Sequence, residues 1–241
     1  LSKKPIELET SIVIGAMSFG ALSKESKISL AKASTIAGTI ENTGEGGMLS
    51  EEREFSKHLI VQYSTGRFGI TEEILKKADA VEIKIGQGAK PGQGGLLPKE
   101  KVTEEIAKVR NVPAGKDIHS PAYHPDIKNI EDLKKKVDWL RKVTGGVPVI
   151  VKLGAGDVEN DVRLAIKALL KQQILQSSGL CFGLLRQKYL KLVFQQPRST
   201  YFLSMKSILP RSQRSDSHAY HTGCLYRTQQ KNLVLWRVED R

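Results

Sequence analysis

The strongest constraint in this chain is an alternation. From the amino terminus to about Ala168, short runs rich in β-branched residues take turns with amphipathic stretches, the order that yields a parallel sheet with helices packed outside it. Strand candidates fall at residues 11–17, 39–45, 59–64, 80–85 and 147–153. The helices between them carry their own start signals. Ser23 can cap the first, with Glu25 in its first turn, and Thr71 can cap another. Further helices are expected near 102–109, over 130–140, where Leu133, Val137 and Leu140 share one face, and from 157 to 168. A complete eight-stranded α/β barrel takes about 250 residues. This chain has 241, yet its alternation supplies only about five units. The expected fold is an incomplete TIM (β/α)8-type barrel of about five βα units with an irregular C-terminal tail.

The alternation stops near Ala168. Residues 169–241 hold nine Gln where the preceding 168 hold three, and 12 Lys and Arg against 3 Asp and Glu, while residues 1–168 hold 26 against 23. The net charge of +12 therefore belongs mostly to the tail, which weakens the nucleic-acid or acidic-membrane partner that such a charge would otherwise suggest. Two regions are expected, a partial barrel over 1–168 and a basic Gln/Ser/Arg-rich segment over 169–241. Apolar pieces at 189–194 and 233–236 could be strands, but their surroundings resemble no packed unit. Arg211, Arg214, Arg227, Arg237 and Arg241 beside Tyr220, Tyr226 and Trp236 allow a second reading, a basic tail that holds single-stranded nucleic acid by charge and stacking. Cys181 and Cys224 have no metal-ligand spacing, so no metal site is expected. No stretch approaches the roughly 18 apolar residues of a membrane span, and the first residues lack an apolar export signal, so a cytoplasmic location is expected.

Two loops leave the carboxyl ends of strand candidates, where α/β barrels build their sites. They are Gln62-Tyr-Ser-Thr-Gly-Arg-Phe-Gly69 and Lys84-Ile-Gly-Gln-Gly-Ala-Lys-Pro-Gly-Gln-Gly-Gly95. Glycine there would let backbone N–H groups approach a phosphate or a planar ring, or would simply make turns. Lys152 sits midway through an apolar strand, so its cation must be paired, bound to a ligand, or snorkelling to the rim. Glu82 and Lys84, two apart on a strand, face the same way. They form either a polar layer beside a substrate or an internal salt bridge.

Six motifs fall in order: Gly15-Ala-Met-Ser-Phe-Gly-Ala-Leu-Ser23, Asn42-Thr-Gly-Glu-Gly-Gly47, Ser64-Thr-Gly-Arg-Phe-Gly-Ile-Thr71, Glu82-Ile-Lys-Ile-Gly-Gln-Gly-Ala-Lys-Pro-Gly92, His119-Ser-Pro-Ala-Tyr-His-Pro-Asp-Ile127 and Val151-Lys-Leu153. Together they resemble the central FMN-binding synthase domain of glutamate synthase, of the archaeal type. The resemblance spans nearly all of residues 5–168 and none of the remainder. It implies an FMN enzyme that reduces 2-iminoglutarate, formed from 2-oxoglutarate and ammonia, to L-glutamate. It also implies an iron–sulfur cluster, a glutaminase domain or subunit that supplies ammonia, and an electron-donor subunit fed by ferredoxin or a pyridine nucleotide. Carried over by motif, Ala16, Met17 and Ser18 would contact the flavin through backbone groups, with Thr43, Gln62 and Gln87 around the ring. Lys152 would lie by the flavin edge that gains negative charge on reduction, joined by Glu82 and Lys84 as catalytic groups. Glu45 and Arg67 would contact substrate, and His124 matches a histidine-bearing loop.

The pattern then departs from the family. A Gly-Gly-Thr-Gly loop for the FMN phosphate and three clustered cysteines for the iron–sulfur cluster do not follow. Lys171-Gln-Gln-Ile174 must be encoded AAR-CAR-CAR-ATH, and a shifted frame reads Ala/Thr, Ala/Thr, Asp/Asn, as the family expects before its sixth strand. A frameshift near residue 169 accounts for this. The expectation is a barrel fragment broken off before closure, inactive by itself, with a bare sheet edge that favours instability.

Overall fold

In the computed structural model the described residues are 2–10, 12–87, 92–154, 156–169, 192–196, 199–201 and 233–234, the last three segments through their backbone pairing alone. The elements run β1 (Val13–Ile14), α1 (Lys24–Ile36), β2 (Glu41–Asn42), α2 (Ser50–Phe55), β3 (Leu59–Tyr63), α3 (Glu72–Lys76), β4 (Ala80–Lys84), β5 (Leu96–Leu97), α4 (Glu104–Arg110), β6 (Ile118–His119), α5 (Ile130–Val143), β7 (Val149–Gly154) and α6 (Val158–Leu169). Three strands follow, β8 (Leu192–Gln196), β9 (Ser199–Tyr201) and β10 (Leu233–Val234).

The expected caps form. Ser23 accepts from the Ser26 N–H and Thr71 from the Ile74 N–H. Thr103 and Asn129 do the same for α4 and α5, each satisfying a donor that a helix start leaves open. The first two strands are much shorter than the sequence suggests, two residues each. Glycines and polar residues around them turn the chain out of the ladder.

In the main sheet β2, β3, β4 and β7 are parallel neighbours in chain order. Ile14 N–H donates to Ile40 O at 3.1 Å, which sets β1 beside β2. An order that advances without reversal is the winding of a barrel wall, whereas a doubly wound sheet reverses at a switch point. The far side of β7 is not a bare edge, contrary to expectation: its ladder groups need partners, and parallel β8 supplies them, followed by antiparallel β9. β10 pairs antiparallel with β1. The two apolar pieces noted in the tail thus carry β8 and β10. The cysteines, the arginine–aromatic run and most of the proposed frameshift segment lie outside the described residues.

The two faces of the wall differ. Leu59, Val61, Val81, Ile83, Val149 and Val151 pack with Leu133, Val137 and Leu140 of α5 and Val162 and Ala165 of α6; this is the outer, helix-covered core. On the opposite face Ile60, Ala80 and Ile150 meet Ile6, Leu8, Val13 and Ile40, so the amino-terminal segment plugs the barrel floor. A third cluster lies among the loops, where Phe19 and Leu49 pack on Leu97, Val102, Ile106 and Ile118. It roots the inserted β5–β6 pair and α4 over the ends of the first strands.

Candidate active site at the carboxyl ends of the strands

Strand alternation carries the inner face from apolar to charged. One step above Ile60, Ala80 and Ile150 come Gln62, Glu82 and Lys152, all buried, and Lys84 stands in register with Lys152. Gln62 Nε2 donates to Glu82 Oε1 at 2.7 Å, while Lys84 Nζ reaches Glu45 Oε2 at 3.0 Å. Burial works to raise the Glu45 carboxyl, but the Lys84 ammonium, with Ser64 and the Gly66 N–H, outweighs it and holds the group below its ordinary value. The second alternative, a direct Glu82–Lys84 salt bridge, does not form. They share the inner face, but each has a different partner, and the internal pair is Lys84 with Glu45.

Lys152 is only 5% exposed, and among the described residues no carboxylate lies within salt-bridge distance of its ammonium. Desolvation pulls its pKa down, opposed by Glu82 and reinforced by Lys84. A buried amine with no ion-pair partner among the described residues carries a desolvation cost that nothing described around it fully offsets.

The remaining candidates occupy the loops above. Ala16, Met17 and Ser18 follow β1, half-buried, and Thr43 follows β2, buried, with its hydroxyl accepting from the Gln62 N–H at 3.1 Å. Gly44 has φ +67, and a Cβ there would stand 2.6 Å from Met17 C and Ser18 N. Its freedom thus lets one turn of this chain rest on another. Gln87 lies beside Gly154, so the loops after β4 and β7 touch; residues 88–91 of the Gly-rich loop fall outside the described residues.

Arg67 and His124 belong to a separate cluster. The Arg67 guanidinium lies over the Tyr63 ring and donates to Ser64 O, to His124 Nδ1 at 2.6 Å and to Asp126 Oδ1 at 2.6 Å. An arginine can only donate, so His124 Nδ1 accepts, and Nε2 carries the proton given to Lys84 O at 2.7 Å. Burial holds this imidazole pKa down. His124 is therefore a neutral latch from the 118–128 loop onto β4, stacked on Tyr63.

Sequence reasoning missed a second buried charge cluster, behind β2. Lys27 of α1 is 1% exposed. It donates to Met17 O at 2.8 Å, Asn42 O at 3.2 Å and Thr43 O at 3.4 Å. Its 2.6 Å contact to Glu52 Oε1 is shorter than any of these, so the ammonium shares its three protons among four acceptors. Ser56 Oγ lies 2.7 Å from Glu52 O and 2.6 Å from Glu41 Oε1. The hydroxyl donates to the Glu41 carboxylate, which holds that pKa down against burial. Burial, with Glu52 nearby, still pushes the Glu41 carboxyl up to about 7. Helical spacing of Lys27, Ala31 and Ser34, the buried residues of α1, was the available signal.

A singly wound parallel wall whose inner face ends in buried charge is the wall of an α/β barrel, with its ligand-facing mouth at the strands' carboxyl ends. Comparison with known proteins makes this specific: the chain belongs to the glutamate synthase family, whose model, a conserved region in glutamate synthase, matches residues 2–180. That match runs past Ala168, where the motifs end. A glutamate synthase large subunit-like protein of Rhizobium meliloti (strain 1021) is 44% identical over 168 residues, 69% of this chain and 38% of that protein. An archaeal glutamate synthase (NADPH) of Methanocaldococcus jannaschii is 49% identical over 162 residues, 67% of this chain and 31% of that one. The chain thus spans about a third of the length of these relatives. A crystal structure of mandelate oxidase overlays at 14% identity with TM-score 0.37, covering 70% of this chain and 52% of that one. No described helix is long and apolar enough to cross a membrane, and the described residues contain no cluster of three or more metal-ligating side chains.

Proposed function

We propose that this chain is part of an FMN-dependent glutamate synthase that reduces 2-iminoglutarate, from 2-oxoglutarate and ammonia, to L-glutamate. The observation that carries the reading is Lys152, a buried ammonium without a described carboxylate partner, on the inner face above Glu82. It fits the electron-rich edge of an isoalloxazine, whose charge it would stabilise. When bound, the flavin supplies hydride chemistry. The backbone of Ala16, Met17 and Ser18 would lie along it, with Thr43, Gln62 and Gln87 around the ring. Glu82 and Lys84 would orient Lys152 and the substrate. The Glu45–Lys84 pair and Arg67 would meet the substrate's carboxylates, Arg67 by giving up part of its grip on Asp126.

The FMN phosphate site, iron–sulfur cluster, glutaminase and electron donor are proposed for the complete assembly. NADPH is the proposed reductant because the archaeal relatives' names carry it. Alone, the chain is proposed to bind flavin weakly and to be inactive. Fluorescence titration of the full chain with FMN tests this. Saturable quenching that is lost in Lys152→Met supports it, and no saturable binding rejects it. A salt-dependent shift of single-stranded nucleic acid that vanishes on deletion of 169–241 would favour the basic-tail reading instead.

A further inference from the structure

We infer that Lys27 is a positioning residue for the flavin site, aiming the Met17–Ser18 peptide from behind the barrel wall; this rests on the FMN reading above. Beyond its 2.6 Å pair with Glu52, a buried ammonium must place its remaining protons on acceptors, and which acceptors it takes is informative. Lys27 takes main-chain carbonyls of the turns after β1 and β2, Met17 O nearest at 2.8 Å. In a trans peptide the C=O and N–H point in opposite directions. Holding Met17 O toward the helix layer at 2.8 Å therefore turns the Ser18 N–H away from it, toward the mouth.

The peptides on the neighbouring turn are already engaged. Thr43 N–H donates to Ile60 O at 2.9 Å and Gly44 N–H to Asn42 Oδ1 at 2.9 Å. Ser18 N–H has no acceptor among the described residues. Arg110 holds the same turn from the other side, donating to Phe19 O at 2.7 Å and Ser18 Oγ at 3.3 Å. The turn is thus gripped by two buried cations, with the Ser18 N–H among its open donors and facing the proposed flavin.

The test uses the full chain in three forms: parent, Glu52→Gln, and Lys27→Met/Glu52→Gln. The double variant removes the buried pair without stranding a charge, so it keeps the fold. Glu52→Gln keeps the ammonium–carbonyl bonds and leaves Glu41 as the carboxyl that balances the ammonium. Without flavin, amide hydrogen exchange should quicken in peptides spanning 15–22 and 42–47 of the double variant only. With FMN, its dissociation constant should rise by about tenfold or more, with an altered flavin spectrum, while Glu52→Gln stays within about twofold of the parent. Unchanged exchange in the double variant overturns the inference. So does parent-like FMN affinity despite faster exchange, or an equal loss in Glu52→Gln. A parent that fails to bind FMN rejects the functional reading and the positioning role with it, while the exchange result still reports whether the clamp exists.

Discussion

Lys27 and Lys152 are both sealed within the same wall, at 1% and 5% exposure, and they are held in opposite ways. Lys27 lies on the helix side with a carboxylate at 2.6 Å and three carbonyls around it. Lys152 lies on the inner side, where desolvation dominates and Glu82 acts on it without an ion-pair contact. Burial alone therefore does not separate a structural cation from a ligand-seeking one; the completeness of its partner set does.

That contrast can be broken by one substitution made twice. Lys27→Met leaves Glu52 as a lone buried charge and should cost about 3–5 kcal/mol in urea unfolding. Lys152→Met removes a cation that burial already penalises, and should change stability by less than about 1 kcal/mol. Equal costs would mean that Lys152 has a full partner set after all. Next in size is the proton on Glu41, among Glu52, Lys27 and Arg53. Its folded pKa of about 7 lies above the ordinary 4.5, so the folded state binds the extra proton. Stability is fully held below about pH 4.5 and falls as pH rises toward 7, by on the order of 3 kcal/mol. Glu41→Gln, neutral at every pH, should flatten that slope in melts across the range. The smallest effect belongs to Asp126, whose half-exposed carboxylate pairs with Arg67 and Lys136. Asp126→Asn should cost no more than about 1 kcal/mol, with a salt dependence that the Lys27 network does not share.

Much of the wall was legible because its residues obey simple periods. β3, β4 and β7 are apolar runs interrupted only toward their carboxyl ends, by Gln62, Glu82, Lys84 and Lys152, and Leu133, Val137 and Leu140 announce the inward face of α5. Ser23 and Thr71 mark helix starts by chemistry that needs no tertiary context. Lys152 stands out in sequence as a charge inside such a run. Lys27, Glu41 and Glu52 do not, because at the buried positions of α1, β2 and α2 the residue types are those of a solvated surface. Glu52 is the only buried residue of the six in α2, so that helix has no apolar stripe to read. The β5–β6 pair was hidden for a different reason: two-residue strands joined across a long insertion leave no alternation.

The plugged floor bears on how the chain reaches this state. Ser2 Oγ donates to Gly146 O at 2.7 Å across 144 positions, and Lys3 N–H donates to the same carbonyl at 2.8 Å. Contacts between such distant points close only after everything between them has emerged and ordered, which slows folding. On a ribosome, residues 2–8 would settle late, waiting with Ile6 and Leu8 uncovered until the turn before β7 arrives. The nascent form is thus the stage at which this protein would lean most on chaperones.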